Sequence, residues 1–224
     1  MGDIVASPCV EAGHLPTRLA PMTLAQRQRA QLLDLFLELG PFAPTLCEGW
    51  KTQDLAAHLF IREHKPQAML GMFSERFAAI TSRVQMEALH SHGFVGLIDR
   101  LRKPSLMMRP LDSLVNGAEY FIHHTDVLRA NDRDQEISPK DEETLRTPIK
   151  MFAGKTARTY GDRVVIDTND GKQLEFGQGT RPVHLIGKPS EILLFVSGRT
   201  DHANVQLVGE PDAVKKFTEA ASGI

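Results

Sequence analysis

The chain has 224 residues, 42% of them hydrophobic and 24% charged, with a formal net charge of −2. That length suits one large domain or two of ordinary size with packed cores, and the scattered Lys and Arg lack the clustered basic face that nucleic-acid binding requires. No apolar run approaches the ~20 residues needed to span a bilayer, so neither nucleic acid nor a membrane is expected as a partner.

Residues 1–20 read as a loose leader. MGDIVASPCVEAGHLP has neither the basic nor the apolar region of a secretory signal, and Ala6 stands where an acylation motif needs Ser or Thr. Cys9 and Cys47 are too few for a disulfide framework and have no C-x-x-C spacing, so a reducing cytoplasm is the expected location. Thr23 is placed to cap a first helix, in which Leu32, Leu33, Phe36, Leu37 and Leu39 recur at helical spacing, and Gly40-Pro41 stops it. Thr52 is placed to cap a second helix through TQDLAAHLFIREH, ended by Pro66. A third helix is expected over about 82–103, closed by Pro104, and a fourth from about Pro110 to Ala130. Ser138-Pro139 opens a fifth, with Asp141, Glu142 and Glu143 at its positive end.

The period changes at Arg163. RVVIDT, Asn169-Asp170-Gly171 and KQLEF read as a hairpin, since Asp-Gly tolerates the positive φ of a tight turn. PVHLI is a third strand, PSEILLFVSG a helix, NVQLVG a fourth strand, and Pro211 opens a last helix. The expected architecture is mainly α: an antiparallel helix bundle over 21–158, then a small α+β domain over 159–224. The apolar faces can be consumed within the bundle or shared with a second copy, which leaves a homodimer open.

Chemistry concentrates on the fourth helix. At about 100° per residue, Glu119 and His123 lie about 40° apart on one face and can grip one ion. Asn116 and Asp126 fall in the same wedge, beside the apolar Leu111, Leu114, Ala118, Phe121 and Ile122. A polar wedge of this kind is also what a surface helix shows. Val115 and Ile122 on one flank, with Tyr120 and Val127 on the other, favour insertion into the bundle interior, where facing helices build metal sites. His58 has less support from spacing, because its helical neighbours Asp54, Arg62 and Lys65 suit a solvated face. His124 projects about 100° away from His123 and reads as packing or surface. Cys47 lies just before Trp50: bordering the pocket is one reading, and a buried, inert cysteine the favoured one. His64, His90, His92, His184 and His202 have no partner at ligand spacing.

EGWKTQDLAAHL resembles the G-W-x-x-x-D-L-x-x-H segment of the mycothiol-dependent maleylpyruvate isomerase family, within the DinB-like metal-binding four-helix bundles. AEYFIHHTD resembles its second element, E-x-x-x-H-x-x-D, and GKPSEILLFVSGR with NVQLVGEPDAVKKF is similar to the small domain that follows these bundles. The resemblance covers most of the chain in the same order. It implies a divalent metal, usually zinc, on His58, Glu119 and His123. It also implies mycothiol as thiol cosubstrate, and Arg199 as an anchor for an anionic substrate. Asp126 fits a role behind a ligand imidazole, accepting its free N–H.

Two His and one Glu would leave one position of a tetrahedral zinc open, as catalytic sites do. A thiol entering there loses its proton to the cation's field. In the isomerase reaction the thiolate adds to a conjugated double bond, the bond rotates, and elimination gives the trans isomer; in S-transfer it attacks an electrophile. A metal-dependent hydrolase would use water instead and need a general base, for which Asp126 is the candidate. A metal- or ligand-binding protein without catalysis is the third reading.

Overall fold

Thr23 starts the first helix by mutual capping. Its hydroxyl accepts from the Gln26 N–H (3.2 Å) while the Gln26 side-chain oxygen accepts from the Thr23 N–H (2.9 Å). The structure is a computed structural model that describes residues 22–64, 75–103 and 116–222, with the backbone alone for 75–81. The leader, Cys9, Lys65, Pro66, Pro104, and the Pro110 start with Leu111, Leu114 and Val115 lie outside the described residues.

Helix α1 (Leu24–Leu39) ends at Gly40, whose φ of 79° only glycine adopts without strain, and whose N–H returns to the Phe36 carbonyl at 2.9 Å. Helix α2 (Thr52–His64) follows, but Thr52 does not cap it. Its hydroxyl donates to the Gly40 carbonyl, tying the end of α1 to the start of α2, while Asp54 accepts from the Lys51 N–H at 2.9 Å. Helix α3 (Glu75–Leu101) begins earlier than residue 82 and is broken at Gly93, where φ is 66°. Helix α4 is Gly117–Arg129 and helix α5 is Pro139–Tyr160, the latter capped by Ser138 as its sequence implies.

Strands β1 (Val164–Asp167), β2 (Gln173–Phe176), β3 (Val183–Ile186) and β4 (Gln206–Val208) form one sheet in the order β2-β1-β3-β4. Strand β1 is antiparallel to β2 and parallel to β3, and β3 is antiparallel to β4. The β1–β2 connection is longer than a tight Asp-Gly turn, because Asp167 pairs with Gln173. Its positive φ values fall on Asn169 and Gly171, while the Asp170 carboxylate accepts from the Thr168 hydroxyl (2.8 Å). Helices α6 (Pro189–Val196) and α7 (Pro211–Ser222) complete the mainly α fold with its small α+β part. Among the described residues no helix is long and apolar enough to cross a membrane.

Among the described residues two apolar cores result, and α4 belongs to both. Leu32, Leu33 and Phe36 of α1, Leu55 and Leu59 of α2, and Leu97 of α3 meet Tyr120 and Val127 of α4 in the bundle core. Phe121 and Ile122 of the same helix join Ile149, Ile166, Leu185, Phe195 and Phe217 in the second core. Helix α5 packs mainly on α6 and α7, so a division at residue 158 runs through its last turn.

Phe217 lies between Tyr160 and Phe195, with ring centroids 5.6 Å from each. Phe217→Ala is expected to cost about 3–5 kcal/mol in denaturant unfolding; a loss below about 1 kcal/mol would show that this core is not closely packed. His124 is buried as a packing residue, donating from Nδ1 to Gln28 (2.8 Å), whose amide donates to Gln135 (2.8 Å). Burial pushes its imidazole down from 6.5 to about 4. The unfolded chain therefore takes up a proton that the folded one refuses, and stability is lost as pH falls from 6.5 to 4. This contribution is about 3 kcal/mol, from the 1.4 kcal/mol that each pH unit is worth. Unfolding followed across that window should show a shallower pH dependence in His124→Gln than in the wild type; parallel curves would rule out His124 as the source.

Candidate metal centre

The polar wedge of α4 lies at the seam between the two cores. With Tyr120 and Val127 entering one core and Ile122 the other, Glu119, His123 and Asp126 face the interior. His58 of α2 approaches from the opposite side. It is not on a solvated face: its relative exposure is 3%, and that of Arg62, one helical turn later, is 8%. Tertiary packing overrides the pattern of Asp54 and Arg62 along the helix.

These side chains converge on one oxygen. Glu119 Oε1 lies 3.2 Å from His58 Nε2, 3.3 Å from His123 Nε2 and 3.3 Å from Arg62 Nε. The His58 and His123 rings meet edge to face with centroids 5.2 Å apart, and Trp50 covers His58 at 5.1 Å. Burial pushes the Glu119 carboxyl upward, but His123, His58 and the Arg62 guanidinium together hold it well below the usual range. Burial lowers the His58 pKa, so this ring is neutral near pH 7, as a metal ligand must be. His58 Nδ1 is buried without a hydrogen-bond partner, which leaves Nε2 as the nitrogen aimed at the carboxylate.

A second cluster adjoins the first through His123. Its Nδ1 donates to Asp126 Oδ2 at 2.9 Å, and burial, which would lower its pKa, is outweighed by Asp126, Cys47 and Glu119. Asp126 has no solvent exposure. Arg199 reaches it with Nε to Oδ1 (2.9 Å) and Nη2 to Oδ2 (2.6 Å). Burial pushes the Asp126 carboxyl up, but His123 and Arg199 hold it well below the carboxylate range. Cys47 is half-buried and not sealed in a core: its thiol donates to Asp126 Oδ2 (3.3 Å) and lies 3.8 Å from His123 Nδ1. Arg199, which the resemblance gives to a substrate anion, spends its remaining nitrogen on the Ser197 carbonyl (2.6 Å).

The residues fit a divalent cation. His58, Glu119 and His123 each offer a ligand atom, all within 4.8 Å of one another, and Nδ1–H of His123 is already fixed by Asp126, which leaves Nε2 to face the cation. Cys47, His123 and Asp126 also lie close enough to be considered a donor set. They fit poorly, since Arg199 already holds both Asp126 oxygens and adds a positive charge. A cavity of about 650 Å³ between α4, α6 and the sheet, lined by Thr125, Arg129, Glu142 and Glu191, holds none of these residues. The sequence misplaced Arg62 on a solvated face, and for Cys47 the pocket-border reading holds over the favoured inert one. The signal available was the one-turn spacing of His58 and Arg62, and the position of Cys47 just before Trp50.

Asp126→Asn leaves the Arg199 guanidinium, 21% exposed, without its counter-charge. The expected loss is about 3 kcal/mol, since breaking a buried pair strands the partner charge. Chemical denaturation should show less loss in the double variant Asp126→Asn with Arg199→Met than in Asp126→Asn alone. Equal loss would mean that the stranded guanidinium is not the cause.

No protein-family model matches the chain, and no curated protein does. Among solved structures it is similar to that of the mycothiol-dependent maleylpyruvate isomerase, with 18% identity and a TM-score of 0.45 over 82% of this chain and 90% of the other. It is likewise similar to a mutant of the same isomerase, with 17% identity and a TM-score of 0.44 over the same shares.

Proposed function

We propose that the protein is a metal-dependent enzyme that activates a low-molecular-weight thiol for isomerisation of, or S-transfer to, a small electrophilic substrate. The observation that carries this reading is the convergence of His58 Nε2 and His123 Nε2 on Glu119 Oε1. Three donors of this kind hold a divalent metal, zinc being the first candidate, with a position left over for an exogenous ligand. Bound there, such a metal supplies Lewis acidity that turns a thiol into thiolate at neutral pH. Mycothiol is the thiol that the sequence resemblance implies.

The chain's own residues act around that centre. His58 and His123 present Nε2, and Glu119 contributes the one negative charge of the set. Asp126 fixes the tautomer and tilt of His123 by accepting its Nδ1–H. Arg199 holds Asp126 in place from after α6. Trp50 closes over His58 and excludes water from that side. The thiol reading is favoured over a hydrolase because Asp126, the expected base, is held ionised with both oxygens engaged.

Purified protein is expected to take up one zinc, and His123→Ala to lose stoichiometric uptake, by metal analysis after dialysis. Turnover of a conjugated electrophile should require both the metal and added thiol. Metal-dependent ester or amide cleavage with no thiol present would overturn the reading in favour of a hydrolase.

A further inference from the structure

Among the described residues, two buried carboxylates and the partly exposed Glu119 line the interior around α2 and α4, and each is matched by its own arginine. Glu63 is paired with Arg29 (2.7 Å), Asp126 with Arg199 (2.6 Å), and Glu119 with Arg62 (3.3 Å). The first two pairings neutralise charges that bind no metal in the reading above. The third is different, because Glu119 is the only anion of the ligand set. Arg62 is held against it by the packing of α2 and by donating from Nη1 to the buried Asn116 side chain. With both imidazoles neutral, as metal ligation requires, the set His58, His123, Glu119 and Arg62 sums to zero. A dication bound there therefore keeps its whole charge in a partly buried site.

We propose that Arg62, by cancelling the charge of Glu119, weakens the site's hold on the metal and sets its preference for an anionic ligand at the open position. The inference rests on the metal reading of His58, Glu119 and His123. In a partly buried, solvent-screened site a unit charge near a dication shifts its binding constant by about tenfold, so its removal is large enough to measure. Charge and shape can be separated. Arg62→Gln removes the charge, Arg62→Lys keeps it while losing the planar fork, and Asn116→Asp leaves Arg62 in place but sets a second anion against it.

The test uses the full chain, with zinc affinity from competition with a chromophoric chelator and azide affinity from the visible spectrum of the cobalt(II) form. Arg62→Gln is expected to bind zinc about tenfold more tightly and azide about tenfold more weakly, while Arg62→Lys stays near the wild type in both. Asn116→Asp should move both constants in the same directions as Arg62→Gln, and decides the matter if Arg62→Gln does not fold. Unchanged constants in Arg62→Gln or Asn116→Asp, or weaker binding of both zinc and azide, would overturn the inference and leave Arg62 a purely structural residue. Failure of the wild type to bind zinc at all is a different result, which sinks the metal reading itself.

Discussion

An ionised carboxylate sealed from water must be surrounded by donors, or the fold that seals it is destabilised by the unpaired charge. Asp126 meets that demand with groups from separate stretches of chain: Cys47 between α1 and α2, His123 one turn earlier on α4, and Arg199 just after α6. Its backbone carbonyl also accepts from the Leu46 N–H at 3.2 Å. The bundle, the loop that carries Trp50, and the C-terminal layer are thus tied at one carboxylate. Because that carboxylate also orients His123, the geometry of the candidate centre depends on the docking of all three.

Helix α4 makes this arrangement possible because it has no solvated side along most of its length. Tyr120 and Val127 complete one core while Phe121 and Ile122 complete the other, so the polar residues beside them are buried or, for Glu119, mostly buried. A polar wedge in that position is tolerated only if every charge finds a partner. The structure supplies them pairwise: Arg62 for Glu119 and Arg199 for Asp126, with Arg29 over the Tyr120 ring and bonded to Glu63. Tyr120, burdened by burial and by Glu63, stays protonated and donates to that carboxylate at 2.6 Å. Such networks add less to stability than an apolar core of the same volume would, but they fix which groups face which.

The helices, strands and caps could be read from the chain because their causes are local. Thr23 with Gln26, Gly40, Ser138-Pro139 and the β-branched run that opens VVID each act within a few residues. The pair Glu119 and His123 was legible for the same reason, being one turn apart on one helix. Local signals misled where a distant element competed for the same group. Thr52 gives its hydroxyl to Gly40, twelve residues earlier, instead of capping α2. The hairpin connection places its positive φ on Asn169 and Gly171 because the pairing of Asp167 with Gln173 leaves more than two residues to turn.

The sequence by itself determined the mainly α architecture, the order of its elements, and two of the three candidate ligands, since periodicity and capping encode neighbours along the chain. Only the tertiary structure decided that His58, 61 residues from Glu119, shares its oxygen, and that Arg62 beside it is buried and not solvated. It alone brought Cys47 and Arg199 to Asp126 from 79 and 73 residues away. The physical reason is that a buried charge selects its partners through the packing of whole helices, and no short-range pattern records which distant side chain the second face of a helix will meet.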